Sequence, residues 1–193
     1  MEKRRFAGRA GEKLAAALGE FGIDVKGKVV ADLGSAVGGF VSCLISRGAK
    51  RVYAVEAGYG ILDWELRNDL RVVVMERTNA MYVKLPEKVD LVTIDTGWTK
   101  LEKVVGNASL LLKRDGKILC LLKPHYEVGK ARLTEGEAEG VRDRVLNDLK
   151  RRGFVVERVI KSPIKGGKGK NTEYLVALSG SVFGSCQEGG ELV

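Results

Sequence analysis

An apolar strand that runs directly into a glycine-rich turn constrains this chain more than any other feature. Val29-Val-Ala-Asp-Leu-Gly-Ser-Ala-Val-Gly-Gly-Phe40 reads as strand, tight turn and opening helix. That succession belongs to open α/β sheets, where ligands bind outside the carboxyl ends of the strands and backbone must come close to them. A second short apolar strand follows at helix-crossover distance: Arg51-Val-Tyr-Ala-Val-Glu56 ends in an acid able to accept hydrogen bonds from both hydroxyls of a ribose. Together the two segments indicate an adenosine-containing cofactor. A dinucleotide fold wants G-x-G-x-x-G, yet Ala36 stands two positions after Gly34, and the Lys plus Ser/Thr of a phosphate-cradling P-loop are missing. S-adenosylmethionine has a ribose and no phosphates, so it tolerates this turn better than NAD or ATP would. A plain strand-to-helix turn with glycines for packing is the competing reading of the motif taken alone.

Around that turn the chain alternates. Leu14, Leu18 and Phe21 recur at helical spacing, predicting a helix over about 7–21 that Gly22 ends. The pattern then predicts strand 29–33, helix 39–47, strand 52–56, helix 61–67, strands 72–75 and 89–95, and helix 101–112. A Lys113-Arg-Asp-Gly116 turn leads into Ile118-Leu-Cys-Leu-Leu122, apolar enough for a central buried strand. A charged helix over 137–152 precedes two strand-like runs, 155–160 and 174–178, which can close the sheet as a hairpin. Alternating strands and helices imply an α/β fold with a mostly parallel sheet of about seven strands and helices on both faces. The expected organisation is one domain over 1–179, its basic helix at 1–21 included, and a glycine- and serine-rich tail over 180–193 that is poorly ordered.

Composition narrows the partners. The 33 Lys plus Arg against 25 Asp plus Glu leave a formal charge of +8, which favours a polyanion through counterion release. Basic residues gather at Lys3, Arg4, Arg5, Arg9 and Lys13, again at Lys150, Arg151 and Arg152, and in the loop Ser162-Pro-Ile-Lys-Gly-Gly-Lys-Gly-Lys-Asn171. RNA contact and a merely solvated basic face fit those clusters equally well. No stretch approaches the roughly 18 to 20 apolar residues of a membrane helix, and no apolar signal region follows Met1-Glu-Lys-Arg-Arg5, so a soluble, cytoplasmic protein is expected. Cys43, Cys120 and Cys186 lie far apart and, with the single His125, make no recognisable zinc or disulfide pattern.

Four charged residues sit where an active site in this architecture would lie: Lys13, Asp95, Lys123 and Glu173. Asp95 ends Leu91-Val-Thr-Ile-Asp95 and Lys123 ends the central strand, so both charges fall at the same sheet edge. An isolated charge there would be costly. Two lysines with two carboxylates compensate one another, and two cations held close make one a usable base. Periodicity alone favours two unrelated surface ion pairs, because such pairs are common.

Several segments together resemble the catalytic domain of the TlyA family, ribosomal RNA 2′-O-methyltransferases historically labelled hemolysins, within the FtsJ/RrmJ-like group. They are Gly8-Arg-Ala-Gly-Glu-Lys-Leu14, Asp32-Leu-Gly-Ser-Ala-Val-Gly-Gly-Phe40, Gly48-Ala-Lys-Arg-Val-Tyr-Ala-Val-Glu-Ala-Gly-Tyr-Gly60, Glu76-Arg-Thr-Asn79, Asp90-Leu-Val-Thr-Ile-Asp95, Leu122-Lys-Pro-His-Tyr-Glu127 and Ser162-Pro-Ile-Lys-Gly166. The resemblance implies a Rossmann-like class I methyltransferase that uses S-adenosyl-L-methionine and acts on RNA, with a Lys-Asp-Lys-Glu tetrad falling on Lys13, Asp95, Lys123 and Glu173. Lys123 would deprotonate or orient a ribose 2′-hydroxyl, which attacks the sulfonium methyl. Asp95 and Glu173 would position the lysines, and Lys13 would contribute charge. A non-catalytic RNA-binding or ribosome-assembly factor on the same cofactor fold is the alternative function. Membrane lysis, suggested by the hemolysin label, finds no support in the basic helices, which lack a wide apolar face.

For the cofactor the resemblance points to Gly34, Ser35 and Gly38 around the methionine part, Glu56 at the ribose, Asn79 near the adenine and Asp95 beside the methyl, with Asp32, Gly39 and Phe40 of the same segment also cofactor-binding. Glu56 stands where the family usually has Asp, Val37 replaces a small hydroxyl residue, and the approach to Glu173 is one residue longer through Lys170. The family usually carries an S4-like RNA-binding domain before the catalytic helix. Recognition is therefore expected to use the chain's own basic surface or a partner. His125 and Tyr126, just after Lys123, are positioned either to stack on a base or simply to pack.

Overall fold

A computed structural model describes residues 6–167 and 170–180; residues 181–193 of the expected tail, Cys186 among them, Lys168 and the Lys3 to Arg5 cluster lie outside them. Seven strands make one sheet in the order β3-β2-β1-β4-β5-β7-β6. They are β1 (Val29–Leu33), β2 (Arg51–Val55), β3 (Val72–Met75), β4 (Val89–Ile94), β5 (Leu112–Leu122), β6 (Val155–Lys161) and β7 (Tyr174–Ser179). The first five run parallel, and β7 inserts antiparallel between β5 and β6. Strand order reverses between β1 and β4, which places the ligand-binding crevice at Leu33 and Ile94.

The strands carry apolar side chains to both faces. Ala31, Leu33, Ile118, Cys120, Leu122 and Val176 enter one core, under α4 (Leu101–Leu111) and α6 (Glu135–Arg151). Val30, Leu119, Leu121 and Leu175 enter the other, under α1 (Ala10–Phe21), α2 (Gly39–Ser46) and α3 (Trp64–Arg67). Two-sided burial is what a parallel sheet covered by crossover helices requires. Among the described residues no helix is long and apolar enough to cross a membrane.

Local chemistry sets the element ends. Gly22 closes α1 in the left-handed conformation at φ +65°, and Thr134 with Glu137 forms a complete capping box that opens α6. Two expectations need correction. The helix expected from residue 61 begins at Trp64, because the Asp63 side chain accepts from Glu65 N–H and caps it there. The Lys113–Gly116 turn is absorbed into β5 as an irregularity in its register with β4, and a further short helix, α5 (Pro124–Glu127), follows Lys123.

Candidate active site

Strand periodicity assembles the charged residues. Asp95 continues β4, Lys123 continues β5 and Glu173 precedes β7, each in phase with Leu91, Leu121 and Leu175, so all three belong to the face that α1 covers. Lys13 comes from α1. Its ammonium donates to Glu173 Oε2 at 2.5 Å, with side chains only 10% and 4% exposed. Lys123 Nζ lies 2.5 Å from Asp95 Oδ1, 15% and 17% exposed, and donates to the Thr96 carbonyl at 3.3 Å. Neither is a solvated surface pair. Lys13, Lys123 and Glu173 line one cavity of 660 Å³ with His125, Tyr126 and Trp98, and Asp95 joins it through Lys123. Ions taken this far from water persist because each has an opposite charge in contact.

Two residues that sequence reasoning passed over support this cavity. Asn171 is buried, its Oδ1 accepting from Leu133 N–H at 3.0 Å and its Nδ2 donating to the Ala131 carbonyl at 3.0 Å, which ties the Arg132 loop to the approach to Glu173. Gly166 lies against Glu173 so closely that a Cβ would collide with its carboxylate. The extra residue at Lys170 is accommodated by a left-handed turn, φ +48°, donating to the Gly167 carbonyl. The aromatic expectation changes: His125 is buried, with its Nδ1 lacking a partner among the described residues and its pKa pushed down by desolvation. The exposed ring is Trp98, stacked on Tyr126 at 4.5 Å.

The residues expected at the cofactor gather beside it, on the loops that follow β1, β2 and β3. Gly34, at φ +90°, packs so tightly on β4 that a Cβ would come 2.8 Å from the Asp95 carbonyl oxygen. Ala36 adopts φ +47° and donates to Glu56 Oε2 at 2.9 Å, while Glu56 Oε1 accepts from Gly58 N–H at 2.8 Å, so this acid organises both loops. Gly38 caps α2 with φ +95°, and Gly39 abuts Gly11 across the α1–α2 contact. Ser35 donates to the Asp32 carbonyl. Asn79 is exposed and spends its Oδ1 on Met81 N–H in its own turn. The Phe40 side chain is 2% exposed and packs inside the core. Sequence reasoning also left Glu76 without a role, although it pairs with Arg67 and accepts from Gly60 and Ile61 N–H, stapling the loop after Glu56.

Charge decides what these loops suit. Asp32 is fully buried, Thr93 donates to its Oδ1 at 2.6 Å, and its Oδ2 has no partner among the described residues. Desolvation, aided by the nearby Asp95 and Glu56 charges, pushes its pKa up to about 7. Carboxylates gathered at these strand ends, Asp32 with one oxygen unpartnered beneath the turn, disfavour phosphates and favour cations there. S-adenosylmethionine, with an ammonium, a sulfonium and no phosphate, suits that charge.

This sheet order, glycine turn and set of acidic strand ends define an S-adenosyl-L-methionine-dependent methyltransferase. Residues 6–180 match the FtsJ-like methyltransferase model, and the chain belongs to that family. It is 39% identical over 187 residues to the 16S/23S rRNA (cytidine-2′-O)-methyltransferase TlyA of Mycobacterium tuberculosis, spanning 91% of this chain and 69% of that one. A hemolysin-named protein of Lactococcus lactis superposes with a TM-score of 0.86 at 33% identity, covering 93% of this chain and 92% of that one. The fold extends to Aeropyrum pernix fibrillarin, solved with bound S-adenosyl-L-methionine, at a TM-score of 0.63 and 24% identity over 86% of this chain and 74% of that one.

Proposed function

We propose that this chain methylates the 2′-hydroxyl of a ribose in ribosomal RNA. The observation that carries the reading is the burial of two Lys–carboxylate pairs against one cavity, next to the acidic cofactor loops. The TlyA relative, named for the 2′-O-methylation of cytidine in 16S and 23S rRNA, supports the same substrate class.

The cofactor supplies an electrophilic methyl on a sulfonium; every other requirement falls on the protein. Glu56 would hold the cofactor's ribose, Gly34, Ser35, Gly38 and Gly39 would give backbone approach, and Asp32, buried beneath the turn, would supply negative charge under the cationic end. Lys123, its Nζ fixed by Asp95, orients the 2′-hydroxyl and, once it has given up its own proton to solvent, would accept the hydroxyl proton as the O–CH3 bond forms and the S–CH3 bond breaks, the thioether leaving. Lys13, held by Glu173, sets positive charge against the RNA. Positioning supplies much of the rate, since a bound hydroxyl and methyl react as one molecule. RNA capture draws on the chain's own basic surface.

The test is transfer of labelled methyl from S-adenosylmethionine to purified rRNA and intact ribosomal subunits. Label recovered as 2′-O-methyl nucleotide with the unmutated protein, and lost with Lys123→Ala while cofactor binding persists, is the expected result. Undiminished turnover in Lys123→Ala defeats the mechanism, and no label on any substrate favours a non-catalytic RNA-binding factor.

A further inference from the structure

The substrate cavity has a neighbour. Beyond the Trp98–Tyr126 stack a second cavity, of 830 Å³, opens between α4, α5 and α6, and the same two rings line both. Lys100 at the start of α4, Lys103 one turn further and Arg144 on α6 edge it. The acids alongside are already engaged: Glu102 pairs with Arg152 at 2.7 Å, Asp148 with Arg151 at 3.1 Å, and Glu127 accepts from Leu101 N–H at 2.8 Å. Lys100, Lys103 and Arg144 make no ion pair among the described residues.

The ring dividing the two cavities is held against its preference. Trp98 has φ +54°, in the left-handed region where a bulky residue loses about 1–3 kcal/mol, and at 74% exposure it gains little from packing. A strained, exposed aromatic between two cavities, one with two lysines and the other edged by three unpaired cations, is suited to a polyanion whose flat groups stack.

We propose that the second cavity is a nucleotide subsite that takes the phosphate of the residue flanking the methylated one on Lys100, Lys103 and Arg144, so that RNA crosses the Trp98–Tyr126 pair as an unstacked single strand. This rests on the RNA reading above and deepens it, since it specifies the form of the substrate. A single strand can splay its bases to either side of an aromatic wall, whereas paired bases in an A-form helix stay stacked.

The test reads binding without methyl transfer. Fluorescein-labelled oligocytidylate and an RNA duplex, each of about twelve nucleotides per strand, a length within single-strand site sizes, are titrated against the full chain over a range of salt. The comparison is the triple variant Lys100→Ala/Lys103→Ala/Arg144→Ala. Single strand is expected to bind the unmutated chain more tightly than duplex. The variant is expected to weaken single-strand binding about tenfold and flatten the log–log salt dependence by about 0.7, as for the one phosphate that the three cations hold together. Its S-adenosylmethionine affinity and melting temperature stay unchanged. An unaltered salt slope in the variant, or preference of the unmutated chain for duplex, overturns the proposal. Lys123→Ala, measured in parallel, separates the two readings: methyl transfer surviving it removes the catalytic assignment alone, and an unaltered slope removes the subsite alone.

Discussion

Burying a carboxylate with only one oxygen bonded is expensive, and Asp32 does so at the end of β1. Its pKa rises from 3.8 to about 7 chiefly through desolvation. Between those values the folded chain keeps a proton that the unfolded chain has released, so raising the pH favours unfolding. The stability of the cofactor-free protein is therefore expected to fall from about pH 4 to about pH 7, with a contribution from this group approaching 1.4 kcal/mol per pH unit at about its steepest, and Asp32→Asn removes that component. Urea denaturation across this range checks it, and parallel curves for the two proteins would refute it. Trp98 makes a complementary case. Trp98→Gly relieves the φ +54° strain, so the melting temperature should not drop, yet oligocytidylate affinity should fall several-fold with the stacking face gone. The types and positions of Asp32 and Lys123 were legible because strand ends advertise them. Glu76, Asn171 and Trp98 were not, since the backbone groups or rings they meet lie on segments brought near only by folding.

Elements whose limits are set by periodicity were readable, and those set by packing were not. Strands β1 and β3 follow the expected bounds, whereas α3 starts late on an Asp63 cap and α5 is too short to show a period. The insertion of β7 between β5 and β6 had no local signal, because antiparallel pairing partners are chosen by the whole sheet. The contact of α1 with α2 has one instead: glycine on both helices. A Cβ at Gly11 would stand 2.7 Å from the Gly39 carbonyl oxygen, so Gly11→Ala must push α1 away, two residues from Lys13. Overpacking of this kind costs about 1–3 kcal/mol. Expected with it are a lower melting temperature and a methylation rate reduced more than cofactor affinity; an unchanged melting temperature would contradict the packing argument. The Asn171 bridge predicts a different phenotype. Asn171→Ala leaves the Leu133 amide without its side-chain acceptor, and hydrogen exchange at 131–133 should accelerate while β5 stays protected.

At the scale of the whole molecule, the candidate site joins the two ends of the sheet-forming chain. Lys13 lies on the first helix and Glu173 enters the last strand, yet they meet at 2.5 Å almost wholly out of water. The cofactor residues, by contrast, lie on loops that follow β1, β2 and β3, so their glycine turn can be recognised in a short stretch of sequence while the ion-pair cavity exists only after β7 has docked on β5. The energetic signature of such a closure is asymmetry between single and double substitutions. Lys13→Met strands a buried carboxylate and Glu173→Met strands a buried ammonium, each expected to lose roughly 3–5 kcal/mol of stability, whereas apolar replacement of both partners leaves no charge to desolvate. The double variant should thus be nearly as stable as the unmutated protein and still inactive. Urea denaturation of the four proteins measures the coupling. Additive losses would mean that the pair is solvated in practice and that α1 and β7 are held together by the apolar contacts of Leu14, Leu18 and Leu175 alone.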